Sequence, residues 1–89
     1  MYINKSNSKG DVMRKRRRDD VYEVVSKNIK NIRKSKNLTQ AQLAEKAGYS
    51  HVTIRKIEGI KNKKYFSIDT ISNIADALEI DIRELFKIN

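Results

Sequence analysis

From Ser50 to Glu58 the chain reads SHVTIRKIE, which sets a histidine, an arginine and a lysine around two isoleucines three residues apart. A helix advances about 100° per residue. It would therefore turn Ile54 and Ile57 inward and leave His51, Val52, Arg55 and Lys56 outward or sideways. Those four offer imidazole, guanidinium and ammonium donors beside one small apolar surface, a set suited to holding an anion. Bond-making chemistry has little to draw on. His51 is the sole histidine, cysteine is absent, and the carboxylates show no obvious metal spacing. Neither a catalytic triad nor a metal centre is expected, and no cofactor is implied. A lysine or arginine on a helix face is ordinarily just solvated, so the weight these residues carry depends on the framework that holds them.

That framework is the stretch Leu38 to Glu58, LTQAQLAEKAGYSHVTIRKIE. Leu43, Ala44 and Ala47 share one narrow face of a first short helix, and Ile54 and Ile57 share a face of a second. The two faces can pack only if the chain turns sharply between them. Gly48 is placed to end the first helix in a left-handed conformation that a β-carbon would penalise. Ala44 is small enough for the second helix to cross closely above it, and Ser50 can cap that helix's start. Thr39 and Gln42 have the spacing of a capping box, in which each side chain satisfies an amide of the other's backbone.

With these residues in place, the segment from Gln40 onward resembles the helix-turn-helix of phage repressors and Cro proteins, the lambda-repressor-like or xenobiotic-response-element family. Leu43, Ala44, Ala47, Gly48, Tyr49, Ile54 and Ile57 carry the residue types that motif has at that spacing, and the resemblance extends over residues 21 to 86. It implies an all-α, compact five-helix bundle whose helix-turn-helix motif, about residues 39–58, sets its second helix in the major groove of DNA. His51, Val52, Arg55 and Lys56 are then the expected base contacts. Arg55 or Lys56 suits guanine N7 and O6, and Val52 suits a thymine methyl. Gln40, with neighbouring amides, is expected on a phosphate, joined by the hydroxyls of Thr39 and Thr53. For Thr39 a cap is an equally good reading. Arg33 and Glu58 match an arginine and a glutamate that in several members form an ion pair between the first and third helices. An Arg33 so oriented could also face a phosphate. Lys61, Lys63 and Lys64 fall where relatives touch the backbone across the groove. The segment IKNKKYFS holding them departs from the family: Gly59 follows Glu58 directly, no proline is present, and the loop is longer than usual.

Composition agrees with a polyanionic partner. The formal charge is +9 over 89 residues, with a pI near 9.9. Residues 1 to 20 hold seven basic and three acidic groups, and residues 21 to 89 hold thirteen and eight, so the body of the chain is basic without its tail. Residues 1–18 read as a flexible basic arm and residues 19–89 as the DNA-binding domain. Within the arm, Arg14, Lys15, Arg16, Arg17 and Arg18 could be an import-like signal, a solubilising tail or a DNA-following arm, and the last is favoured. Asp20 and Glu23 have capping-box spacing, which predicts a first helix starting there. Val21, Val25, Ile29 and Ile32 give it an apolar face as far as Lys36, with Asn37 as a left-handed terminator. Ser67 can cap a fourth helix with Ile68, Ile71, Ile74, Ala75 and Leu78 on one face. Asp81 with Glu84 repeats the capping-box spacing before a short fifth helix containing Ile82, Leu85 and Phe86. Tyr65 and Phe66, ending the basic loop, are expected to close over the core.

The function these readings favour is sequence-specific binding of double-stranded DNA by a non-enzymatic transcriptional regulator, a repressor or autoregulator that pairs as a homodimer on an inverted repeat. The fifth helix, with Leu85, Phe86 and Ile88, is the expected self-contact. Alternatives are an antitoxin that neutralises a protein partner and binds DNA secondarily, and a restriction-modification controller. A non-specific RNA or membrane-surface binder would leave the paired helix faces unexplained. No apolar run approaches the roughly 18 residues of a membrane span and the basic start lacks an apolar h-region, so a cytoplasmic protein is expected.

Overall fold

The computed structural model describes residues 9–59 and 67–88, and for residues 9–20 the backbone only. Among the described residues the chain is all helical: α1 (Lys9–Ser35), α2 (Gln40–Ala47), α3 (His51–Gly59), α4 (Ile68–Leu78) and a closing 3-10 helix (Ile82–Phe86).

The first helix starts at Lys9, well before the expected start near Asp20. Asp20 is therefore an interior position and not a cap, and Glu23 bonds instead with Lys27, one turn on, at 3.1 Å. From Asp11 to Ser35 there is neither glycine nor proline, and arginine, lysine and methionine are good helix formers, so backbone preference carries the helix through a stretch with no apolar face. Packing begins later. Val25 and Ile29 are fully buried, whereas Val21, one turn upstream on the same face, is 46% exposed. Asn37 ends the helix at φ 60°, and the Leu38 amide turns back to the Arg33 carbonyl at 3.1 Å.

The second helix has the full capping box. The Gln42 amide donates to Thr39 Oγ1 at 3.0 Å, and Gln42 Oε1 accepts from the Thr39 amide at 2.8 Å. Gly48 closes it at φ 80°, with nothing across the turn within 4 Å of where a β-carbon would stand, so glycine is favoured there by the dihedral angle and not by crowding. Tyr49 N–H then reaches the Ala44 carbonyl and the chain turns into α3, where Ser50 Oγ accepts from the Thr53 amide at 3.1 Å. Ser67 caps α4 in the same way through Thr70. That helix ends at Glu79 in a left-handed conformation, φ 60°, with a residue type that did not signal it.

Leu43, Ala44, Ile54, Ile57, Ile71, Ile74, Ala75, Leu78 and Leu85 join Val25 and Ile29 in one core. Burying each valine, leucine or isoleucine among them stabilises the fold by about 1.5–3 kcal/mol. Ile68, expected on the inward face of α4, is 70% exposed. The expected short fifth helix forms as a 3-10 helix. Asp81 caps it through the Arg83 amide at 2.8 Å and not through that of Glu84, so the expected capping box does not form, and Glu84 pairs with Lys87. Leu85 is wholly buried within the monomer, which removes it from any self-contact, while Phe86 and Ile88 remain exposed.

Two polar residues on the buried side of α1 fix its neighbours. The Ser26 hydroxyl lies 2.8 and 2.7 Å from the Ile57 and Glu58 carbonyls in the last turn of α3. Asn28 Nδ2 donates to the Leu85 and Lys87 carbonyls at 2.9 and 2.8 Å, pinning the C-terminal turn.

Candidate nucleic-acid interface

The orientation of α3 is set from beneath by one buried ion pair. Arg33 Nε donates to Glu58 Oε2 at 2.6 Å and Nη2 to Oε1 at 3.0 Å, a bidentate fork, while Nη1 donates to the Leu38 carbonyl at 2.6 Å. The two side chains are 8% and 3% exposed. Helix α1 is thereby tied both to the end of α3 and to the turn entering α2. Arg33 faces inward, which departs from the expectation that it also meets a phosphate.

From this pair a chain of hydrogen bonds runs outward. Gln40 Nε2 donates to Glu58 Oε1 at 3.0 Å, and Gln40 Oε1 faces His51 Nε2 at 3.2 Å. Gln40 thus bridges the start of α2 and the start of α3. On the far side of the turn, Asn73 Nδ2 donates to the Tyr49 hydroxyl at 2.8 Å, bracing the turn against α4.

With Ile54 and Ile57 buried, α3 presents His51, Val52, Arg55 and Lys56 on its exposed face, in the arrangement the spacing implied. Val52 is 45% exposed, an apolar residue left among donors and cations. Thr39 is exposed at the start of α2 and engaged as its cap. Thr53 is half-buried, with its hydroxyl 2.9 Å from that of Ser50. The structure forms the expected Arg33–Glu58 pair and joins to it Gln40 and His51, which the sequence had placed on a phosphate and a base edge. Lys61, Lys63, Lys64, Tyr65 and Phe66 lie outside the described residues, as do the side chains from Arg14 to Arg18.

Sequence reasoning passed over Ser26, Asn28 and the Gln40–His51 contact. Ser26 and Asn28 had one signal, as short polar residues flanking Val25 and Ile29 on the face that must be buried. The Gln40–His51 contact had none, because it depends on the crossing of two helices.

Among the described residues, no cluster of histidine and carboxylate side chains could hold a metal ion, and no helix is long and apolar enough to cross a membrane. Neither a curated protein nor a solved structure matches the chain. A family model described as helix-turn-helix matches residues 29–85, well over half of the 89 residues, from the second half of α1 to Leu85. The matched span contains the buried pair, the capped two-helix unit and the exposed face of α3, so the chain belongs to the helix-turn-helix family of DNA-binding transcription regulators.

Proposed function

We propose that this protein is a sequence-specific repressor or autoregulator that binds an inverted repeat in double-stranded DNA as a homodimer, without catalysis, in the cytoplasm. The observation carrying this reading is the outward face of α3, where His51, Val52, Arg55 and Lys56 stand exposed on a helix locked from below by Arg33 and Glu58. Donors and an apolar surface on one rigid helix match base edges, with Val52 suited to a thymine methyl.

Phosphate contacts set the register. Thr39, Gln40 and Thr53 ring the start of α2 and α3, and Lys61, Lys63 and Lys64 follow α3 in sequence. Residues 19–89 form the DNA-binding unit, and Arg14, Lys15, Arg16, Arg17 and Arg18, on the first half of α1, add charge toward the DNA backbone. One such helix reads only a few base pairs. Pairing two copies on half-sites about 34–36 Å apart supplies the missing specificity, with exposed Phe86 and Ile88 as the self-contact.

The test is fluorescence anisotropy of the full chain against a duplex recovered from a randomised library and against its shuffled counterpart, across a salt series. Tight binding to the recovered inverted repeat is expected, at two chains per duplex, with log affinity falling by several units per decade of salt. Equal binding to both duplexes at every salt concentration overturns the reading.

A further inference from the structure

The chain of hydrogen bonds through Gln40 has a chemical consequence for His51. Glu58 Oε1 is a carboxylate oxygen already accepting from Arg33, and a carboxylate oxygen has no proton to give. The group of Gln40 that faces it must therefore be the amide NH2, as the 3.0 Å Nε2–Oε1 contact has it. This leaves the Gln40 carbonyl oxygen facing His51 Nε2 at 3.2 Å, and a carbonyl oxygen only accepts. The imidazole proton then belongs on Nε2, and a neutral ring keeps Nδ1 as a lone-pair acceptor. Among the described residues no hydrogen bond uses Nδ1, and His51 is exposed.

We propose that the buried Arg33–Glu58 pair sets the tautomer of His51 through Gln40, and that His51 consequently reads an amine-bearing base, adenine or cytosine, in the major groove. Gln40 is on this account a positioning residue. The assignment rests on the reading of α3 as the base-reading helix and adds the chemistry of one contact. Adenine N6 and cytosine N4 donate in the major groove, whereas guanine N7 and O6 and thymine O4 accept. An acceptor Nδ1 pairs with the first two and opposes the others. A histidine freed from Gln40 could take either tautomer and would lose that discrimination.

Two measurements test it, and the first needs no DNA. His51 is the sole histidine, so two-bond ring 1H–15N correlations of the labelled full chain report it without ambiguity. At mildly alkaline pH the proton is expected on Nε2, and a proton found on Nδ1 overturns the assignment. In the second, wild type, His51→Ala and Gln40→Leu are each used to select from a randomised duplex library. The position at which His51→Ala loses its preference should hold adenine or cytosine in the wild-type consensus, preferred about 2- to 10-fold. Gln40→Leu should lose preference at that position while keeping it elsewhere. If Gln40→Leu does not fold, the wild-type tautomer and the identity of that base still decide. A wild-type consensus with guanine or thymine at that position overturns the assignment alone. Absence of any wild-type consensus overturns the reading of α3 and the assignment with it.

Discussion

Removing the Glu58 carboxylate strands a charge. In Glu58→Ala the Arg33 guanidinium, on a side chain 8% exposed, loses both arms of its fork and keeps only the Leu38 carbonyl among the partners named above. Breaking one side of a buried pair costs about 3–5 kcal/mol, largely because the remaining ion cannot recover its hydration. A domain of this size is worth about 5–15 kcal/mol in total and shifts by about 4–8 °C per kcal/mol, so a fall in melting temperature of at least about 12 °C is expected. Gln40 also loses its acceptor, which adds to the cost. Changing both partners, Arg33→Leu with Glu58→Ala, leaves no stranded ion and refills part of the volume with apolar atoms. The double variant should recover at least about 2 kcal/mol relative to the sum of the single losses. Urea unfolding followed by helical circular dichroism on all four proteins of the cycle measures this directly. Strictly additive losses would mean that the two groups do not interact and that no stranded charge is created.

Other outcomes follow from single positions. Gly48→Ala forces a β-carbon into φ 80° with no compensating contact, and should destabilise the chain by about 1–2 kcal/mol in the same unfolding assay. At Asp81, the hydrogen bond from the Arg83 side chain, followed by that from its backbone amide, lowers the carboxyl from 3.8 to about 2. A depressed carboxylate contributes stability above its unfolded value and loses it below. Protection of the Arg83 amide in hydrogen exchange should therefore fall as pH drops from about 4 towards 2, and Asp81→Asn should flatten that dependence. Lys63→Ala should weaken binding to every duplex alike and reduce the salt slope by about one unit, read from anisotropy across salt.

The helix-turn-helix was legible because its signals are local. Thr39 with Gln42, Gly48, Ser50 and the isoleucine spacing in α3 each act within one turn of the chain, and the structure has each in its place. The start of α1 was not legible in this way. Asp20 and Glu23 have capping-box spacing, but spacing carries no information on whether the preceding residues stop being helical, and no glycine or proline lies between Asp11 and Asp20. Ile68 and Val21 show the limit of periodicity, which selects a face but not how far along the helix the neighbours extend. In the candidate site, the side chains facing outward from α3 followed from the positions of Ile54 and Ile57 alone. The inward turn of Arg33 and the link from Glu58 through Gln40 to His51 did not, because they depend on how α1, α2 and α3 meet.

Whether α3 reads bases is tested most directly by the base preference of Lys56→Ala and Val52→Ala in selection from a randomised duplex library. Each variant should change which bases are favoured within a half-site, at a cost on the order of 1–3 kcal/mol for a good base contact, while preferences at other positions persist. If both variants keep the wild-type preference and lose only affinity, α3 is not the reader, and the base contacts lie elsewhere in the chain.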